Sequence, residues 1–410
     1  MRLLVSCIPW DKGKSGISVY TREVVKALAG HGHQLTLVVE PELRKRGALA
    51  APLFESEGAR TLAGVAPESG GARTLAAHTA PRWAASPVRS MFWHLFCLPF
   101  WIWRHRWEYD GFVICAANRR ACAFYPLPTT ATVHDLANFH IPGKYSRSRM
   151  VYLAHVLPFF AKRAQYLVAI SEATKADMVK FWHCKPEDIT VLYDGLTEGT
   201  GNGEQGTGNG ERGIGNGERG PGPSGGARTL AAHILYISRI EHPGKNHVRL
   251  IEAYGRLPRA LAEAHPLVLA GADWKDADTV HEAAARSPHS DLIRFTGFVP
   301  NEEIESLWAQ TGFYVFPSLF EGFGLSLAEA MARGIPCACS NNGSLGEIGE
   351  GVAITFDPEN VDSIAAALEE LLKEDDAARA ARIGRGRERA ARFSWPDHAA
   401  GIARLIEKGI

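Results

Sequence analysis

The sequence has no excess of charge of either sign. Lys and Arg together number 45, and Asp and Glu together also number 45, so the formal net charge of the 410-residue chain is zero. Proteins that bind nucleic acid through a general electrostatic field carry a basic excess, so we expect no nucleic-acid partner. The 46% hydrophobic and 22% charged residues are typical of a globular protein, and the length exceeds what one core supports. We therefore expect two domains.

The seven cysteines lack the paired spacing of structural metal sites. Cys337 and Cys339 form C-x-C inside an apolar run, and the other five are scattered along the chain. Because no C-x-x-C pair is present, we expect buried free thiols in a reducing compartment. The N-terminal run "MRLLVSCI" has the character of a first strand and not of a signal peptide. These features predict a cytoplasmic protein.

The sequence has no apolar run long enough to span a bilayer as a helix. The strongest candidate, residues 90–107, has an apolar core of about 14 residues, whereas a spanning helix needs about 20. It holds four of the ten tryptophans and is flanked by Arg89, Arg104 and Arg106. Two interpretations stay open: a helix packed against a sheet, or a helix lying in a membrane interface. The second predicts peripheral contact with the inner face of the cell membrane.

Short β-rich runs alternate with helical patterns in both halves of the chain, which predicts an α/β fold with two parallel sheets. Two kinds of sequence interrupt the pattern: the glycine-rich repeats at 199–219, and the string "SGGARTLAAH", which occurs at 69–78 and again at 224–233. We interpret both as inserted sequence without a fold of its own. The predicted organisation is an N-terminal domain over 1–197 with an insert at about 55–85, a flexible insert over 198–233, a C-terminal domain over 234–394, and a last helix over 395–410 that packs back on the N-terminal domain.

The stretch "FPSLFEGFGLSLAEAMARGIPCACS", residues 316–340, carries the strongest chemical signal. A strand ends before Glu321, the glycine-bearing turn at 322–324 follows, and a helix then carries Glu329. A helix that begins after a glycine turn offers free N–H groups and a partial positive charge, which bind phosphate. The two carboxylates accept hydrogen bonds from hydroxyls on either side. This arrangement suits a nucleoside diphosphate sugar.

Two basic residues suit the diphosphate of such a ligand. Arg239 follows a predicted strand, and Lys245 lies six residues later, before the next helix. Fixed cations of this kind stabilise a leaving diphosphate without a metal ion, so we expect no cofactor and no obligatory metal. Taken alone, two basic loop residues are as readily explained as a solvated surface.

Together these segments resemble the retaining glycosyltransferases of the family-4 type, which have the GT-B architecture of two Rossmann-like doubly wound domains facing across a cleft. "EGFGLSLAE" is similar to the family's E-x7-E signature, and "ISRIEHPGKNHVRLIEAY" to its basic segment. "SGISVYTREVVKALAGHGHQLTLV", "VHDL", "SEATKADM" and "FSWPDHAAGIARLI" resemble further family segments. The sequence departs from the family pattern at Ser238 and at Asp194, where glycine and asparagine are usual.

The resemblance implies a role for each matching residue. Glu321 would hold hydroxyls of the donor sugar and Glu329 the ribose, while Arg239 and Lys245 would bind the diphosphate. The resemblance also places His134 near the sugar and the acceptor, and it makes His134 a catalytic residue together with Glu321, Arg239 and Lys245. Besides Glu329, it implies substrate contacts at Gly16, Asp135, Gly322, Phe323, Gly324, Leu325 and Ser326. His134 is otherwise explained as a core histidine, Asp135 as a helix cap, and Glu347 as either a solvated carboxylate or a nucleotide contact.

The implied reaction moves a sugar, such as mannose or rhamnose, from a nucleotide diphosphate donor to a glycan or polyprenyl-linked acceptor in surface-polysaccharide synthesis. The anomeric configuration would be retained. Two alternatives stay open: a sugar-nucleotide epimerase of the same fold, and a non-catalytic protein that binds sugar nucleotides.

Overall fold

The computed structural model describes residues 1–8, 16–40, 75–141, 146–196 and 233–410. The glycine-rich repeats at 199–219 lie outside these residues. The described part of the N-terminal half holds seven strands: β1 Arg2–Ser6, β2 Gln34–Val39, β3 Leu75–Thr79, β4 Gly111–Ile114, β5 Thr129–Val133, β6 Tyr166–Ala169 and β7 Ile189–Val191. Its helices are α1 Gly16–Gly30, α2 Pro87–Phe92, α3 Leu98–Arg104, α4 Arg147–Val151, α5 Leu157–Ala161 and α6 Glu172–Trp182. π-Helical turns at Trp93–Cys97 and Tyr152–Val156 join α2 to α3 and α4 to α5, and short 3-10 turns lie at Arg82–Ala85, Arg106–Glu108, Ala137–Phe139 and Pro186–Asp188.

The C-terminal half repeats the same plan. Its strands are β8 His233–Ile237, β9 Leu267–Ala270, β10 Ile293–Gly297, β11 Thr311–Phe316, β12 Cys337–Ser340 and β13 Ile354–Phe356. Its helices are α7 His247–Tyr254, α8 Arg259–Ala264, α9 Ala277–Arg286, α10 Asn301–Ala309, α11 Leu325–Ala332, α12 Gly343–Gly349, α13 Val361–Lys373, α14 Asp376–Ala390 and α15 Trp395–Glu407, with a 3-10 turn at Ser290–Leu292.

Both sheets are parallel and doubly wound. The strand order is β3-β2-β1-β4-β5-β6-β7 in the first and β10-β9-β8-β11-β12-β13 in the second. Strands such as "ILYI" in β8 and "FVI" in β4 are buried on both faces, because helices cover each side of a parallel sheet. The order reverses between β1 and β4 and between β8 and β11, and ligands of such sheets bind at that point, beyond the carboxyl ends of the strands. The predicted α/β fold with two parallel sheets is confirmed.

The last helix, α15, packs against the N-terminal sheet. His398 bonds to the Tyr20 hydroxyl at 2.8 Å and to the Tyr193 carbonyl at 2.9 Å. Gly195 lies so close to this helix that a Cβ at 195 would stand 2.2 Å from the Trp395 backbone nitrogen. The chain therefore crosses back to the first domain, where its last helix contacts Tyr20, Tyr193 and Gly195.

Strand β3 falls inside the range 55–85 that the sequence predicts to be an insert. Its residues Leu75–Thr79 pair in parallel with β2, so the first copy of "LAAH" forms the edge of the N-terminal sheet. The second copy ends at His233, which opens β8. The first copy thus supplies an edge strand, and of the second copy only His233 lies within the described residues.

The segment 90–107 buries one face and exposes the other. One face packs on the sheet: Trp93, Leu98 and Ile102 are buried, and His94 bonds to Ser6 at 2.8 Å. The opposite face is exposed and aromatic, with Phe92, Phe96, Phe100, Trp103 and Trp107. No helix among the described residues is long and apolar enough to cross a membrane.

Candidate active site

The start of α1 and the segments that follow β5, β8 and β11 meet in the cleft between the two sheets. They surround a cavity that opens to solvent, and the cavity and its mouth together hold about 610 Å³ of space. Most of the predicted site residues line it together: Gly16, His134, Asp135, Lys245, Glu321, Gly322, Phe323, Gly324, Leu325 and Ser326. Residues separated by more than 300 positions are adjacent here because both sheets present their carboxyl ends to one cleft.

Lys245 and Glu321 form a largely buried ion pair that lines this cavity. The Lys245 Nζ atom donates to Glu321 Oε1 at 2.9 Å, and the two side chains are only 7% and 12% exposed. Asn246, in the left-handed region at φ 62°, fixes the preceding lysine by donating from Nδ2 to the carbonyls of Pro317 and Pro358. Both charges of the pair are therefore held in place before any ligand binds, which is the arrangement that stabilises charge developing in a ligand at little reorganisation cost.

The glycine turn before α11 brings the backbone to the wall of the cavity. Gly324 has φ +108°, and a Cβ there would stand 2.6 Å from Leu345 Cδ2, so no other residue fits without strain. Helix α11 begins at the next residue, so its first N–H groups face the cavity. The Tyr314 hydroxyl donates to Ser326 Oγ at 2.7 Å and fixes the first turn. The structure thus contains the glycine turn and the helix start on which the predicted anion site depends.

Glu329 occupies a different position from its partner carboxylate. It lies on the second turn of α11, is 1% exposed, and is outside the residues that line the cavity. The helix pitch places it about one turn beyond Ser326. The structure therefore brings Glu321 but not Glu329 to the wall of this cavity.

His134 is buried at the end of β5 and faces the cavity. Its Nε2 atom lies 2.6 Å from the Cys115 carbonyl, which can only accept, so Nε2 carries the proton. Burial lowers the pKa of His134 to about 4, so the ring is neutral at physiological pH and its Nδ1 atom is an acceptor. The neighbouring Asp135 caps the turn that follows it, since Oδ1 accepts from the Ala137 N–H at 3.1 Å, and it also lines the cavity.

Arg239 lines an adjoining cavity, which is also open to solvent. Lys245, Glu321, Gly322 and Asp135 line both cavities, so the ion pair stands at the boundary between them. The Arg239 guanidinium is 3.5 Å from Glu241 and lies over the Trp274 ring. Of the two side chains predicted to bind the diphosphate, Lys245 therefore stands at the boundary and Arg239 lines the larger cavity.

Two contacts that the sequence did not reveal join the domains across the cleft. Ser171 Oγ donates to the Gly322 carbonyl at 2.8 Å. Glu347 accepts from the N–H groups of Glu172 and Ala173, at 3.1 and 3.0 Å, and from the Tyr193 hydroxyl at 2.7 Å. Neither interpretation offered for Glu347, a solvated carboxylate or a nucleotide contact, describes this arrangement, in which its carboxylate caps the N-terminus of α6 from the opposite domain.

Asp194 is a second residue whose role the sequence did not reveal. It is 3% exposed, lines the smaller cavity, and its Oδ1 atom has no hydrogen-bond partner within the described part of the chain. Burial raises the pKa of this carboxyl well above its ordinary value. The only signal in the sequence was the departure from asparagine at this position.

Comparisons with known proteins agree with this geometry. The family model "Glycosyltransferase Family 4" matches residues 14–197, and the model "Glycosyl transferases group 1" matches residues 226–389. The O-antigen chain mannosyltransferase B of Escherichia coli is 29% identical over 265 residues, which are 64% of this chain and 66% of that protein. The chain thus aligns with just under two thirds of that relative's length.

Solved structures show the same fold. Sucrose-phosphate synthase from Thermosynechococcus elongatus superposes with a TM-score of 0.67 at 15% identity, over 100% of this chain and 98% of that one. Anabaena HepE, in complex with UDP and glucose, superposes with a TM-score of 0.65 at 15% identity, over the whole of both chains. Two family models that cover most of the chain, two facing Rossmann-like sheets and the E-x7-E segment at the cleft lead to one assignment: the chain belongs to the family-4 glycosyltransferases and has the GT-B fold.

Proposed function

We propose that the protein transfers a sugar from a nucleoside diphosphate donor to a hydroxyl of a glycan or polyprenyl-linked acceptor in surface-polysaccharide synthesis. The observation that carries the proposal is the Lys245–Glu321 pair, held beside the glycine turn where α11 begins. A cation and free N–H groups suit a diphosphate, and a carboxylate suits the hydroxyls of a sugar. Similarity to an E. coli O-antigen mannosyltransferase favours mannose as the sugar, and the UDP and glucose bound to Anabaena HepE support a nucleotide-sugar donor.

The reaction would keep the configuration of the anomeric carbon. The acceptor oxygen would form its bond to the anomeric carbon on the face from which the diphosphate departs. The departing phosphate oxygen would take the proton of the acceptor hydroxyl. Lys245 and Arg239 would stabilise the charge that collects on the leaving diphosphate, while Glu321 and the Nδ1 atom of His134 would accept hydrogen bonds from sugar hydroxyls.

No metal or cofactor is part of the proposed chemistry. Within the described ranges there is no group of three or more His, Cys, Asp or Glu side chains that could hold a metal ion. Full activity in the presence of a chelator is the expected result. Activity that depends on an added divalent cation would contradict this part of the proposal.

We also propose peripheral contact with the inner face of the cell membrane through residues 90–107. The exposed side chains Phe92, Phe96, Phe100, Trp103 and Trp107 are aromatic, and Arg106 lies over the rings of both tryptophans. Aromatic rings with adjacent cations favour the headgroup region of a bilayer. Vesicles of anionic phospholipid should sediment the wild-type protein and leave a Trp103→Ser/Trp107→Ser variant in solution.

The central test is donor binding followed by transfer. A thermal-shift screen of UDP, GDP, ADP and dTDP with their sugars identifies the donor, because a ligand that binds only the folded protein raises its stability. Glu321→Ala should then lower kcat/KM for transfer by about 100-fold or more. The matched control is Glu388→Ala on the exposed side of α14, which should leave turnover unchanged. Unchanged turnover in Glu321→Ala would contradict the proposal, and an epimerised donor formed without acceptor would favour the epimerase alternative.

A further inference from the structure

Phe320, the residue before Glu321, carries its aromatic ring across the cleft to the N-terminal domain. The ring stacks on the imidazole of His140, with the two centroids 4.1 Å apart and the two planes 14° apart. Phe320 is only 8% exposed, and the next residue, Glu321, lines both cleft cavities. The stack therefore joins the N-terminal domain to the segment that carries the Glu321 carboxylate.

The imidazole of His140 is oriented by contacts within its own domain. His140 follows the 3-10 turn Ala137–Phe139, and its Nε2 atom donates to Asp177 Oδ2 on α6 at 2.8 Å. The Asp177 side chain is 10% exposed, so this hydrogen bond is largely shielded from water. Phe181, on the same helix, meets the imidazole at an interplanar angle of 87°. These contacts fix the ring, so one of its faces is presented to Phe320.

Phe320 and Glu321 are attached to the C-terminal domain on the other side of the stack. A Cβ at Gly343 would stand 3.7 Å from Phe320 Cε2, so the ring lies beside the start of α12. Ser344 Oγ donates to the Glu321 carbonyl at 2.8 Å, and Lys245 Nζ donates to the Glu321 carboxylate at 2.9 Å. A displacement of Phe320 reaches Glu321 directly, because consecutive Cα atoms are held about 3.8 Å apart.

We infer that His140 is a positioning residue, which docks on Phe320 in the closed cleft and so places the Glu321 carboxylate for the transfer step. This inference rests on the proposed glycosyl transfer and adds to it a residue outside the lining of both cleft cavities. The groups proposed to bind the diphosphate, Lys245, Arg239 and the start of α11, all belong to the C-terminal domain. Loss of the stack should therefore slow transfer and leave the affinity for a diphosphate unchanged.

Two substitutions of His140 separate the ring stack from the hydrogen bond to Asp177. His140→Gln keeps a donor for the carboxylate but has no ring, so kcat should fall about tenfold. His140→Phe restores a ring against Phe320, so kcat should stay within about threefold of the wild-type value. This second variant leaves Asp177 without its donor, so its urea midpoint should fall further than that of His140→Gln. A lower kcat in His140→Phe than in His140→Gln would overturn the inference.

A double-mutant cycle tests whether the effect passes through the stack. Phe320→Leu should lower kcat as much as His140→Gln does, and the double variant should be no slower than either single variant. Independent losses that multiply to about 100-fold would contradict a shared contact. Phe139→Leu is the matched control, because Phe139 stacks on Phe181 with centroids 4.4 Å apart and both residues lie in the N-terminal domain. This control should lower the urea midpoint and leave kcat unchanged.

Calorimetry with inorganic pyrophosphate completes the test, because it measures diphosphate binding without turnover. Each variant should bind pyrophosphate with the wild-type Kd, since Lys245, the start of α11 and the Glu347 contacts across the cleft are unchanged. A Kd raised about tenfold in His140→Gln would assign His140 to donor binding and overturn the positioning role. Wild-type kcat in His140→Gln would remove this role alone, whereas a wild-type protein that transfers no sugar would remove the proposed function and this role with it.

Discussion

Gly322 lies against the backbone of the N-terminal domain in the cleft, and replacing it with alanine tests whether that close approach matters. An added Cβ would stand 2.3 Å from the His134 carbonyl oxygen and 3.1 Å from Asp135 Cβ. The nearest atom belongs to the backbone, so no side-chain rotation removes the clash. Contacts of a Cβ below 3.0 Å are essentially never seen, so the domains must separate by about 0.7 Å or more.

The separation is small compared with the domains but large for catalysis. It lengthens the Ser171–Gly322 hydrogen bond and moves His134 away from the Lys245–Glu321 pair. A misplacement of about 1 Å at a reacting centre costs roughly 100-fold in rate, so kcat/KM for transfer should fall by about two orders of magnitude. Opening of the cleft relieves the clash, so the free energy of unfolding should fall by no more than about 1 kcal/mol.

Steady-state transfer and urea denaturation measure the two effects on the same protein. Gly384→Ala is the matched control: it lies in α14, its new methyl group would meet nothing within 4 Å, and the change should raise helix stability by up to about 1 kcal/mol without changing turnover. If Gly322→Ala retains more than about a third of the wild-type kcat/KM, the close approach of the domains is not part of catalysis. If it unfolds several kcal/mol more easily, the clash is not relieved by opening.

Three further predictions concern ionisable side chains that are buried or lie at the contact between the domains. Glu347→Gln should open the cleft and raise the donor KM severalfold, because an amide caps a helix N-terminus less well than a carboxylate. Small-angle scattering of this variant should show a larger radius of gyration, and an unchanged radius would count against the cross-cleft cap. Asp194→Asn should raise the free energy of unfolding more at pH 7.5 than at pH 4: burial raises the pKa of the folded carboxyl well above its ordinary value while the unfolded chain ionises above about 3.9, so the wild type loses up to about 1.4 kcal/mol for each pH unit between the two pKa values, and an equal effect at both pH values would refute this. Burial lowers the pKa of both His134 and His398 to about 4, so the unfolded state binds more protons as the pH falls from about 6.5 towards 4. Because the Asp194 carboxyl changes stability in the opposite direction over this range, the measurement uses Asp194→Asn: urea denaturation should show stability lost as the pH falls, and a flat profile from pH 7.5 to 5 in this variant would be inconsistent with neutral buried rings.

The sequence allowed the cleft to be predicted because the positions of its main residues follow from topology. Lys245 and Glu321 are 76 residues apart, yet β8 and β11 are neighbours at the point where the strand order reverses. A residue just beyond each of these strands must approach the other. The glycine at 324 was likewise predictable, since only a turn with positive φ joins β11 to α11 so tightly.

Contacts between the domains could not be predicted in the same way. Glu347 meets the start of α6 across 175 residues of sequence, and no rule of strand order relates one domain to the other. Glu329 shares the sequence signature with Glu321, but only the structure shows that it is buried outside the lining of the smaller cavity. Strand β3 was hidden because its "LAAH" core is repeated beside low-complexity sequence.

The most direct test of the central claim is a calorimetric titration of the nucleoside diphosphate sugar that gives the largest thermal shift. The claim is that the ammonium of Lys245, paired with Glu321 beside the start of α11, holds the diphosphate. Lys245→Met/Glu321→Gln removes both charges together and leaves no uncompensated charge in the cleft. The account predicts an affinity at least about 100-fold weaker than that of the wild type. An unchanged affinity in a folded double variant would contradict it.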